Sequence, residues 1–169
     1  MNCKRVWVCA ALLLVCTVVR ADEEKVPLDK VPKAVLDAVK ARFPDAKINH
    51  AATEKEDGKT VYELNITNKD QKIDVTLTPE GKITGMEKEI AAKDLPKAVS
   101  AALEKKYPKA TYKKAEEVIK VSGKDEKLEY YEVLLVTDGK KTVEVEIAAD
   151  GKILKEEEKK EKDEPKKDK

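Results

Sequence analysis

Val31-Pro32-Lys33-Ala34-Val35 and Leu95-Pro96-Lys97-Ala98-Val99 are one phrase written twice, 64 positions apart. The same shift carries Phe43-Pro44-Asp45-Ala46 onto Tyr107-Pro108-Lys109-Ala110. Further along, Tyr62-Glu63-Leu64 returns as Tyr131-Glu132-Val133 with a shift of 69, and Gly81-Lys82-Ile83 as Gly151-Lys152-Ile153 with a shift of 70. Four blocks recurring in one order mark a tandem duplication. The growing shift places an insertion in the second copy, where Val118 to Lys127 predicts a longer loop in the first hairpin.

Each phrase opens a helix. Val31, Val35, Ala38, Val39 and Phe43 fall on one face at helical spacing, as do Leu95, Val99, Ala102, Leu103 and Tyr107. Pro32 and Pro96 suit a first turn, where a missing N–H costs little. Asp29 and Asp94 are the expected N-caps. Pro44 and Pro108 end the helices, because the residue before a proline avoids helical geometry.

After each helix the apolar period changes from helical to two. Tyr62, Leu64 and Ile66 alternate with Val61, Glu63 and Asn65, and Ile73, Val75 and Leu77 follow in the next segment. In the second copy Tyr131, Val133 and Leu135 share a face with Val143, Val145 and Ile147. Such alternation predicts antiparallel strands with one face buried. Turn residues separate them: Asp57-Gly58, Asn68-Lys69-Asp70, Glu80-Gly81, Asp138-Gly139 and Asp150-Gly151, with glycine expected to supply positive φ. The fold class is therefore α+β: two tandem copies of a helix packed on a four-stranded antiparallel sheet.

The chain outside the repeats is different in kind. Lys4 and Arg5 precede an apolar run from Val6 to Val19, and Val19-Arg20-Ala21 offers a cleavage site. This is the layout of a secretory signal peptide, and fourteen apolar residues fall short of the roughly 20 needed to span a bilayer. From about Lys155 the chain is nearly all Lys, Glu and Asp, too polar to repay its ordering entropy. The expected organisation is a signal peptide over 1–21, repeats over 22–90 and 91–156, and a disordered charged tail over 157–169.

Composition excludes several chemistries. The 169 residues carry 35 basic and 34 acidic side chains, so the basic excess that nucleic acid demands is missing. Cys3, Cys9 and Cys16 all lie in the leader, with Trp7. A chain cleaved after Ala21 would hold no thiol, 32 basic and 34 acidic side chains, and one histidine. His50, two residues after Ile48, is expected on the same strand face as a half-buried structural residue. A zinc site wants three or four convergent ligands. No Ser or Thr has a base at a spacing that would activate it, and the glycines are scattered turn residues rather than a phosphate loop. No catalytic residue, metal or cofactor is expected, and no enzymatic activity.

One face departs from the bland pattern. Opposite Tyr131, Val133 and Leu135 lie Tyr130, Glu132, Leu134 and Val136, where the first copy has Val61, Glu63, Asn65 and Thr67. Exposed apolar surface generally marks either a partner site or internal packing. Tyr130, Leu134 and Val136, with Val61 as their nearest counterpart, are the candidate partner-binding residues. Packing between the repeats is the alternative.

The ordered set of motifs resembles the PepSY-like, beta-lactamase-inhibitor-like family. The features that carry the resemblance are the Val/Leu-Pro-Lys-Ala-Val helix start, the aromatic-Pro-x-Ala at its end, the hairpin from Asp57 to Glu63, and Gly-Lys-Ile at Gly81 and Gly151. It covers about Leu28 to Glu156 and omits the tail. It implies an exported bacterial protein of tandem α+β modules, located in the periplasm or secreted, that binds or inhibits another envelope protein and meets the membrane only during export. The competing expectation is a structural or stress-related envelope protein with no specific client.

Overall fold

The computed structural model describes residues 24–56 and 58–159. The signal-peptide segment 1–21, residues 160–169 of the tail and Asp57 of the first hairpin turn lie outside them. The described chain runs β1 (Glu24–Val26), a 3-10 turn (Leu28–Lys30), α1 (Lys33–Arg42), β2 (Lys47–Glu56), β3 (Lys59–Asn68), β4 (Gln71–Leu77) and β5 (Ile83–Glu89). It then repeats as a 3-10 turn (Ala92–Asp94), α2 (Lys97–Lys106), β6 (Thr111–Ser122), β7 (Asp125–Val136), β8 (Thr142–Ile147) and β9 (Ile153–Lys159).

The expectation of one four-stranded sheet per copy is corrected at the seam. The strands form a single antiparallel sheet in sequence order, β1 to β9. β5 pairs with β6 from Gly85↔Lys120 to Glu89↔Glu116, so the last strand of one copy is hydrogen-bonded to the first of the next. An isolated four-stranded unit would leave both strands as open edges, and pairing them satisfies those backbone groups. Met86 facing Ile119 joins the seam to the core. β1, which no periodicity announced, adds three residues along β2. At the far edge β9 reaches Lys159 and takes in the first three residues that composition assigns to the tail.

Both helices lie on one face of this sheet. Val35, Val39 and Phe43 of the α1 segment pack with Leu64, Val75, Met86 and Ile119. Val99 and Leu103 of α2 pack with Ala115, Val133, Val145 and Ile147. Ala115 and Ile119 are four residues apart on β6, with Glu117 between them paired to Tyr131 of the second core, so they share a side. Val35, Val99 and Leu103 are fully buried. Each such side chain contributes roughly 1.5–3 kcal/mol relative to exposure.

The helix starts differ from expectation. Asp29 and Asp94 sit inside the 3-10 turns, and the N-cap positions belong to Pro32 and Pro96, without any side-chain cap. The Pro32 carbonyl accepts from Val35 and Leu36 N–H instead. The 3-10 turn lets Val31 and Leu95 enter the core just before each helix. The Gly-Lys-Ile motif is explained by close approach: a Cβ on Gly81 would stand 2.4 Å from the Ala34 carbonyl oxygen, and one on Gly151 2.6 Å from that of Ala98. At the Asp138-Gly139 turn, by contrast, the positive φ is carried by Lys140 rather than the glycine.

The insertion in the second copy lengthens strands rather than a loop. β6 and β7 have 12 residues each against 10 for β2 and β3, and the turn at Gly123 stays tight. The extra length carries the hairpin to the first helix. Val121 packs on the first core, and Glu126 forms ion pairs with Arg42 at the end of α1 and with Lys88 at 3.6 Å.

A candidate protein-binding face

With both helices on one side, the other face of the sheet is uncovered by any helix of the described residues. Strand register assigns its occupants. On β7, Tyr130, Glu132, Leu134 and Val136 alternate with the core residues Tyr131, Val133 and Leu135, as the period-two pattern predicts. Tyr130, Leu134 and Val136 are half-buried there among strand neighbours. Tyr130 stands opposite Val118, and Leu134 lies between Lys114 and Glu144. Val61 has the matching parity on β3 but is only 6% exposed, so it offers a partner little area.

His50 is a correction. A bulge at Asn49 separates Ile48↔Ile66 from His50↔Asn65. One extra residue inverts the parity of everything beyond it. Ile48 therefore packs toward the core while His50 is exposed on the open face, and Ala51 takes the inward position opposite Leu64. The bulge also sends Asn49 outward, where its amide donates to Asn65 Oδ1 at 2.8 Å and Thr67 Oγ1 at 2.9 Å.

From there a polar chain crosses the seam between repeats. Asn65 Nδ2 donates to Asp74 Oδ1 at 2.6 Å, and Lys114 reaches Asp74 at 3.7 Å and Glu116 at 2.7 Å. Asp74, Glu87 and Glu116 each place a carboxylate oxygen within 4.8 Å of the others. This trio went unseen in the sequence because its members sit on three strands, 13 and 29 residues apart. Its counter-ion in the structure is the Lys114 ammonium.

Electrostatics on this face are tense. Glu116 is almost wholly buried, and that burial, with Asp74 and Glu132 nearby, pushes its carboxyl above the usual carboxylate range despite the Lys114 hydrogen bond. Burial works against the Lys114 ammonium too, but Glu116, Asp74 and Glu87 outweigh it and hold its pKa up. The register also aligns Glu89, Glu116, Glu132 and Glu146 directly opposite one another across β5, β6, β7 and β8. Like charges directly opposite on neighbouring strands destabilise a sheet. Nothing in the local sequence around any one of these glutamates announces the row.

The pattern of the family described as "Putative beta-lactamase-inhibitor-like, PepSY-like" matches the chain twice, over residues 17–85 and 82–155. Among solved structures, a BLIP-like protein from Bacteroides fragilis is 18% identical, covers 83% of this chain and 95% of its own, and superposes with a TM-score of 0.55. A protein described as a putative periplasmic protein from Bacteroides eggerthii gives 0.60 at 13% identity, covering 76% and 88%. A DUF2874 family protein from Bacteroides ovatus gives 0.56 at 17% identity, covering 75% and 86%. Identities this low establish a shared fold. No curated protein matches the sequence.

Proposed function

Because the chain belongs to the beta-lactamase-inhibitor-like, PepSY-like family, we propose that it is an exported protein-binding module of the cell envelope that engages its partner through the open face of the sheet. The observation that carries this reading is the placement of Tyr130, Leu134 and Val136 on the face that neither helix covers. Strands hold such side chains at fixed spacing, so they anchor a partner at low entropic cost. Location in the periplasm, or secretion, is supported by the leader-like segment at 1–21 and by the description of the B. eggerthii protein of similar fold as periplasmic. The specific form of binding in this proposal is inhibition of a peptidase or another periplasmic enzyme, for which the family description, beta-lactamase-inhibitor-like, supports inhibition in general.

Capture from envelope extract tests the reading. The chain beginning at Asp22 is expected to retain one client in stoichiometric amount, and the Tyr130→Ser/Leu134→Ser variant, folded by circular dichroism, is expected to lose it. A folded variant that retains its client at full strength removes this face. No client for either form favours a structural envelope role.

A further inference from the structure

The longer hairpin of the second copy builds a cleft that neither repeat has alone. One wall comes from the first repeat: Arg42 at the end of α1 and Gly81-Lys82-Ile83 before and at the start of β5. The other is the β6–β7 hairpin, with Val121, Gly123, Lys124 and Glu126. The cleft holds about 460 Å³, within the range of roughly 300–1,000 Å³ that ligand pockets occupy. Lys106 and Gly151-Lys152-Ile153 hold the matching positions in the second repeat, but β9 is the edge of the sheet and no described hairpin stands beside it.

The charge of the cleft is one-sided. Glu126 is shared by Arg42 and by Lys88, the latter at 3.6 Å. Lys82 and Lys124 are exposed, and among the described residues no carboxylate pairs with either. Four cations thus stand against one carboxylate. Asp125 does not alter the balance: it opposes Ser122, whereas Glu126 opposes Val121, so alternation puts it on the other side of the hairpin. An incoming anion meets two free ammonium groups and has no existing ion pair to break. Between them lies apolar surface, because Ile83 and Val121 are both half-buried against the first core. Main-chain recognition is closed off on the first wall. Gly81 N–H donates to the Thr78 carbonyl at 2.9 Å, Thr78 N–H to the Lys82 carbonyl at 2.9 Å, and Lys82 N–H to Thr78 Oγ1 at 3.4 Å. A strand laid through the cleft would leave its own N–H and C=O groups without partners there, a cost that a chain end largely escapes.

We propose that this cleft takes the carboxyl-terminal residue of another protein chain, its free carboxylate between Lys82 and Lys124 and its apolar side chain on Ile83 and Val121. The carboxylate relieves the repulsion among the cations, which a neutral or cationic group leaves in place. The cleft opens on the helix side of the sheet, so the proposal stands apart from the open-face reading.

The test uses the isotope-labelled chain from Asp22 to Lys169, titrated with an acetylated tripeptide of two alanines and a terminal leucine, and with the same peptide amidated at its end. The free acid is expected to shift the amide signals of Arg42, Gly81 to Ile83 and Val121 to Glu126, and to weaken with added salt. It is expected to bind about tenfold more weakly to Lys82→Gln/Lys124→Gln. Both lysines are exposed, so that variant retains the fold. Absence of saturable shifts, or equal affinity for the variant, overturns the proposal. Equal binding of the amidated peptide overturns the carboxylate assignment. Sodium phosphate alone producing the same shifts and excluding the peptide would give the cleft to a free anion and overturn the chain-end assignment.

Discussion

The Tyr107 phenol donates a hydrogen bond to the Glu156 carboxylate, which also pairs with Lys106. By repeat register the same two positions in the first copy are Phe43 and Met86, both buried in the first core. The exchange of an apolar pair for a polar one follows from sheet position. β5 is an interior strand paired on both sides, whereas β9 is the edge, so its end of the helix–sheet contact meets water. Charged residues at an edge also discourage pairing with another chain.

Tyr107→Phe is expected to cost about 1 kcal/mol, the scale of one hydrogen bond at a half-exposed site. Its pH dependence carries a sign. The Lys106 and Tyr107 hydrogen bonds hold the Glu156 carboxyl below the usual range. A depressed folded pKa contributes stability above the unfolded value, about 4.3, that is lost as pH falls through the folded one. Glu156→Gln should therefore be less stable than the parent at pH 7 and converge with it near pH 2, as followed by urea unfolding. A constant difference across that range would deny the charged hydrogen bond its role.

Gly81→Ala and Gly151→Ala are expected to destabilise by roughly 2 kcal/mol or more each. Both glycines have positive φ, and the added Cβ would press on the backbone carbonyl of Ala34 or Ala98. Gly58→Ala shares the positive φ but meets nothing within 4 Å, so its cost should be smaller. Denaturant midpoints of the three variants separate backbone strain from steric overlap; equal losses would refute the close-approach explanation of the Gly-Lys-Ile motif.

What the sequence made legible was local. The helix stripes stand out because Val35, Val39, Val99 and Leu103 recur at helical spacing, and all four are buried. Alternation on β7 separated Tyr130 and Leu134 from Tyr131 and Val133 correctly because that run has no bulge. His50 lies on the face opposite to the one its spacing from Ile48 predicts, because a single extra residue at Asn49 inverts parity without any turn residue to signal it. The union of the two sheets and the glutamate line depend on which strands meet, a relation between residues far apart in the chain. Glu89 and Glu116 become neighbours only once β5 pairs with β6.

Leu103→Ala is expected to cost roughly 2–4 kcal/mol, since Leu103 is fully buried and its removal opens a cavity against the second half of the sheet. Because β5 and β6 join the repeats, unfolding should remain one transition by circular dichroism and by the fluorescence of a tryptophan introduced at Phe43. Two separated transitions would show that the seam transmits little cooperativity between the copies.

Glu116→Gln is expected to raise stability at neutral pH, a direction opposite to what its ion pair with Lys114 suggests at first sight. The glutamate is nearly inaccessible, and its charge must be held away from water beside Asp74 and Glu132. Those costs exceed the help from Lys114, which is why its carboxyl is displaced upward. A carboxyl with a raised folded pKa binds its proton more tightly in the folded state. Its contribution is therefore favourable below the unfolded pKa and is lost as pH rises through the folded one. At pH 7 the ionised group costs stability that glutamine does not. Glutamine keeps a carbonyl acceptor for Lys114, and Asp74 remains 3.7 Å from that ammonium. Thermal midpoints of parent and variant should differ in the variant's favour at pH 7, and the gap should close below about pH 4, where the glutamate is protonated. A variant less stable at pH 7, with a deficit that vanishes in acid, would mean that the Lys114 pair outweighs burial.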